Sequence, residues 1–185
     1  MLRTLHRWIS RSRLARDQRG VSAVEFALLA PMMIGLYLGC VEISQGVAAD
    51  RKVSLVSAAL ANLTAQVTAI SASDMTNILD ASSAIIQPYS ANLLKMTITC
   101  LKIDANKNVS VKWSVTRNGT ARSGTVTLPS ALAVANSYLI LSEASYAYTP
   151  TVGYTISGTL TLSDQMYMSP RITPPSYPDS THTCT

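Results

Sequence analysis

Three periods of hydrophobic and polar residues follow one another along this chain, and each predicts its own kind of element. From Val21 to Val41 nearly every residue is apolar: VSAVEFALLAPMMIGLYLGCV holds one charge, Glu25, and the next is Glu42. A helix of that length spans about 30 Å, the thickness of a bilayer core. A buried core helix and a cleaved secretory signal share part of the pattern. A signal's apolar region is usually about 7–15 residues and ends at a small-x-small site; this run is longer, and Ala48-Ala49 comes late, beyond Glu42. The membrane anchor over 21–41 is the preferred reading. Residues 42–70 then keep helical spacing through Val47, Leu55, Ala59, Leu63 and Val67, with no proline, and predict a helical stem. Ser71 or Ser73 with Asp74 supplies N-cap chemistry for a short helix over about 74–86, stopped by Pro88.

From about residue 93 the period becomes two. Val109, Val111, Trp113 and Val115 alternate with Ser110, Lys112, Ser114 and Thr116, and Met96–Leu101 precedes them across the polar turn Asp104–Asn108. Asn118-Gly119 is a hairpin signal toward a strand at Thr125–Leu128. Tyr138–Tyr148 and the alternation Tyr154, Ile156, Gly158, Leu160, Leu162 complete four or five strands. The expected fold is α+β: a transmembrane helix extended as a stem, then an extracytoplasmic domain over 71–169 with an antiparallel sheet, polar on one face, and a short helix. A Pro-rich tail, 170–185, closes the chain as an irregular segment.

Composition sharpens this. Of 185 residues, 48% are hydrophobic and only 14% charged, which excludes intrinsic disorder. The net charge of +5 belongs entirely to the leader, residues 1–20, where Arg3, Arg7, Arg11, Arg13, Arg16 and Arg19 face one acid, Asp17. The rest carries nine basic and nine acidic side chains, so no basic body exists to hold a nucleic acid. An arginine-rich flank on one side only orients the span by the positive-inside rule, with the leader cytoplasmic and everything after Val41 outside.

Glu25 is the costly residue of the span, because a carboxylate inside a bilayer loses about 2.5–3.5 kcal/mol at the centre and less near an interface. The stretch Gly20-Val21-Ser22-Ala23-Val24-Glu25-Phe26 places a glycine before the apolar helix, a glutamate on its fifth residue and an aromatic next. This resembles the processing site of prepilin-like proteins, which implies a cut between Gly20 and Val21. The longer stretch Gly20–Glu42, with its G-x4-E-F-A-L-x-A-P core and closing V-E, resembles the TadE/TadG-like pseudopilins of tight-adherence (Flp) pilus systems. Tyr146–Arg171 is similar more loosely. The resemblance implies a prepilin-type aspartic peptidase, other pilins or pseudopilins and inner-membrane assembly proteins as partners, besides the lipid bilayer. Cleavage would free the Val21 α-amine, largely protonated at neutral pH, one turn from Glu25 on the same helix face. The carboxylate would pair with it or with the ammonium of a neighbouring subunit; a glutamate that snorkels to the headgroups is the plainer alternative.

The span also carries small or kinking residues four apart, Ala23, Ala27, Pro31, Gly35 and Gly39, a pattern that lets membrane helices approach closely. Cys40 lies in the span, where a lipid-acceptor reading fails on Tyr37 and Glu25. Cys100 and Cys184 remain, and in an oxidising compartment they are expected to form one disulfide that clamps the tail to the sheet, two free thiols being the alternative. No catalytic residues, metal site or cofactor motif emerges: His182-x-Cys184 falls short of a zinc site, and the carboxylates are scattered. Two rival readings stand beside a pseudopilin. One is an uncut single-pass periplasmic binding protein; the other is a secreted or lipid-anchored protein cleaved near residue 40.

Overall fold

The structure, a computed structural model, describes residues 19–150, 153, 158–178 and 184. The leader over 1–18, the alternation at 154–157 and His182 lie outside the described residues. One helix, α1 (Arg19–Ala65), runs unbroken through Pro31 for 47 residues, about 70 Å. Its two halves live in different surroundings. Over the apolar run most side chains are exposed, whereas Glu42, Gly46, Ala49, Val53, Val56 and Leu60 form a buried stripe spaced by four and three residues. The helical stem over residues 42–65 is thus packed against the domain on one side. It is the central helix of the domain, which begins where the apolar run ends.

The helix α2 (Ala72–Ser83) starts at Ser71, whose hydroxyl accepts from the Asp74 N–H at 3.1 Å while the Asp74 carboxylate accepts from the Ser71 N–H at 3.2 Å. This reciprocal box satisfies two orphan donors of the first turn. A turn of 3-10 helix, Ala84–Ile86, ends it before Pro88. The strands are β1 (Leu94–Ile103), β2 (Val109–Arg117), β3 (Ser137–Tyr148) and β4 (Leu160–Met168), all antiparallel to their neighbours in the order β2-β1-β3-β4. The fold is α+β.

The helix layer covers one sheet face. Met96, Ile98, Cys100, Trp113, Ile140, Tyr146, Tyr148 and Leu162 meet α1 and α2 there in the main core. Each fully buried Leu or Ile stabilises this layer by about 1.5–3 kcal/mol relative to exposure. The other face was expected to be polar, and it is so at one end only. There Thr97 bonds Thr116 and Thr99 bonds Ser114. At the other end Leu101, Ile103, Val109, Leu139 and Leu141 form a second core. A register shift between Cys100 and Leu101 lets β2 follow β1 across this change.

Two expected strands differ. Asn118 does adopt the left-handed conformation (φ 56°), but Thr125–Leu128 forms no strand; only the bridge Ser110–Thr125 is made. The sheet order explains this. Residues 118–136 must carry the chain from β2 past β1 to β3, and on the way Val126, Leu128 and Leu132 cover the second core. The last strand begins at Leu160 and runs on to Met168 rather than ending near Leu162. Its Asp164 points at α1 and accepts from the Ser57 hydroxyl at 3.1 Å.

The tail is irregular but docked. The Arg171 N–H donates to the Ala65 carbonyl at 2.9 Å, which closes the C-terminal end of α1. Ser176 bridges Ala69, its N–H donating to Thr68 and its carbonyl accepting from Ile70. The Trp113 indole N–H donates to the Pro175 carbonyl at 2.9 Å, and its ring lies 5.6 Å from that of Tyr177. Cys184 and Cys100 are joined by a disulfide, both fully buried, with Cα atoms 6.2 Å apart.

Candidate functional site

The candidate site is the free half of α1. Gly20 and Val21 are both helical, near the start of the described residues, so the Gly20–Val21 peptide lies within α1. A Cβ at Gly20 would meet nothing within 4 Å. Val21, Glu25 and Phe26 are all exposed, and Val21 and Glu25 sit one turn apart on one face. Among the described residues these four therefore lie together on α1, away from the folded domain.

The small-residue row is not uniform. Ala23, Ala27 and Pro31 are exposed, whereas Gly35 and Gly39 are half-buried. At about 100° per residue, Gly35 falls close to the same helix face as Glu42 and Val53, the face the sheet covers higher up. Within the apolar run, then, the glycines continue the domain-facing side, while Leu29, Leu36 and Cys40 point the opposite way.

Where the apolar run ends, an aromatic cluster grips the helix. Tyr89 packs against Tyr146 and Tyr148 with ring centroids 6.1 and 6.0 Å apart, and its hydroxyl donates to the Gln45 carbonyl at 3.2 Å. A side chain on Gly46 would be in ordinary contact with the Tyr148 ring. Burial, then the neighbouring Tyr89 and Glu42, holds the Tyr148 phenol above its usual range, so it stays neutral. Sequence reading did not single out Glu42 as a buried residue, yet it is 1% exposed just past the end of the apolar run. The closing V-E pair was its only sequence signal.

The rest of the surface offers less chemistry. On the polar end of the outer sheet face an open groove of about 620 Å³ is crossed by an ion pair from Arg122 to Glu143. That hydrogen bond raises the already high arginine pKa. Among the described residues no three His, Cys, Asp or Glu side chains converge to hold a metal ion.

One N-terminal helix among the described residues is long and apolar enough to cross a membrane, and its far half is built into a small α+β domain, which defines a membrane-anchorable protein. The comparison with protein families agrees with that class: residues 20–61 match the family described as TadE-like protein. The matched segment starts at Gly20, takes in the whole apolar run and ends inside the helix that the sheet buries. The family consists of structural rather than enzymatic proteins associated with the Tad pilus. No curated protein and no solved structure matches the chain.

Proposed function

We propose that this chain is a minor pseudopilin-like structural or assembly protein of a tight-adherence pilus, cut after Gly20 by a prepilin-type peptidase. In this reading it sits in the bacterial inner membrane, leader inside and domain outside, and works through other pilins and membrane assembly proteins. The observation that carries the reading is Glu25, five residues beyond Gly20 on an exposed apolar helix. Among the described residues nothing folded crowds either position, which leaves the bond open to a membrane peptidase and the carboxylate open to a neighbouring subunit. Pairing with a Val21 ammonium, its own or a neighbour's, would offset the cost of holding Glu25 in lipid.

The test is the intact mass and N-terminal sequence of the protein from membranes, with and without a co-expressed prepilin peptidase. A chain beginning at Val21 only when the peptidase is present is the expected result. An uncut chain in both would refute processing and leave a permanently anchored periplasmic binding protein. Glu25→Ala should then be cut and folded normally but fail to support pili; normal piliation in that variant would refute the pairing.

A further inference from the structure

Outside the apolar run, α1 keeps a second apolar stripe that the domain does not cover. Glu42, Ala49, Val53 and Leu60 define the sheet-facing side. Counting about 100° per residue from there, Ile43, Val47, Ser54 and Ala58 lie roughly 100–160° round the helix, on the outward side. Ile43 is 54% and Val47 47% exposed, while Ser54 and Ala58 are half-buried. Downward the same side continues without a break into Cys40, Leu36 and Leu29 of the apolar run. Upward its centre narrows to Ser54 and Ala58, small enough for another backbone to come close.

Two charges flank the stripe at one level. Asp50 and Arg51 fall roughly 50° to either side of its centre. Both are exposed, and neither makes a hydrogen bond or ion pair among the described residues. Two parallel helices related by a two-fold axis along the stripe would set Asp50 of each against Arg51 of the other, twice over. The stripe is thus complementary to itself. A shared anchor would hold any two copies parallel and at the same height, which is the geometry this pairing needs. Lipid can cover Ile43, just beyond the run, but Val47 lies six residues past Val41, about 9 Å further out, at the level of Asp50 and Arg51.

We propose that the outward face of α1, through Ile43 and Val47 with Asp50 and Arg51 at its flanks, is the contact between two copies of this chain side by side in the membrane. This deepens the assembly reading above and rests on its membrane anchor, not on cleavage at Gly20. It also separates two faces of one helix: the glycine row continues the domain-facing side, and the bulky row meets the partner.

The test is oxidative cross-linking of the full chain in membranes, with Cys40→Ala as background. Val47→Cys should give a disulfide-linked species of twice the chain mass, and Gln45→Cys, exposed on the flank near Tyr89, should give little. Asp50→Arg should lower the Val47→Cys yield about fivefold, and adding Arg51→Asp should restore it. Retention of the Cys100–Cys184 bond checks that each variant is folded. Equal yields at positions 45 and 47, indifference to Asp50→Arg, or an adduct whose mass is not twice the chain's would each overturn the proposal. Because the N-terminal sequence of the same samples reports cleavage separately, loss of the cross-link in a correctly processed chain refutes the pairing alone.

Discussion

Breaking the link between Cys100 and Cys184 should be the most damaging covalent change this domain can suffer. The two cysteines stand 84 positions apart in sequence, and they tie the tail to β1 in the main core. In the chain-entropy account a loop of that size lowers the freedom of the unfolded chain by about 4.5 kcal/mol. With a urea slope of about 1.5–2 kcal/mol per molar, the unfolding midpoint should fall by about 2–3 M. Trp113 is the natural reporter, because it is nearly buried and its indole N–H is held by Pro175 of the tail. Trp8→Phe makes it the sole tryptophan, since the chain has two. Urea titrations in detergent would compare this background with Cys100→Ala, Cys184→Ala and the double variant. Each single change removes the same bond, so the double variant should cost little more than the worse single one. Cys100→Ala should be the worse, because it also leaves a gap under Trp113. Two small and additive losses would refute the argument. So would a Cys184→Ala protein whose Trp113 becomes solvated at low urea while the main transition stays in place, since the bond would then hold only the tail.

Two further expectations test the core and the turns. Leu60→Ala, at a fully buried position of the α1 stripe, should cost about 3 kcal/mol by the same titration; a loss under about 1 kcal/mol would mean that residues 42–65 are not packed as a core helix. Asp104 accepts from the N–H groups of Asn106 and Asn108 and from the Asn108 side chain, and these bonds, the last foremost, lower its pKa from 3.8. A lowered carboxylate contributes its stability above its unfolded pKa and loses it as the pH falls through the folded one. Urea midpoints taken from pH 6 down to pH 2 should therefore fall less steeply below about pH 4 in Asp104→Asn than in the parent; parallel curves would refute the assignment.

The sequence spoke clearly wherever one physical pressure acted alone. The apolar run, the alternating strands on either side of Asp104–Asn108, and Tyr138–Tyr148 each answer to a single environment, and their periods were plain. Where two pressures met, the pattern misled. Asp164 stands at an inward position of β4 and so masked the strand beyond Leu162; the carboxylate is half-exposed and accepts from the Ser57 hydroxyl, 107 residues away. Asn118-Gly119 signalled a hairpin, and the backbone does turn, but β3 lies on the far side of β1, so the returning arm is spent on crossing the sheet and covering Leu101, Leu139 and Leu141. Glu42 is where the pattern is least informative. A charge at the end of an apolar run marks the limit of the run and says nothing of burial. Here the same residue begins the buried stripe, so anchor and core are consecutive halves of one rod with no flexible joint between them. A rod of this kind passes any rotation or shift of the membrane segment directly to the sheet. That coupling is what a subunit would need if the packing of its membrane helix were to decide where its outer domain points.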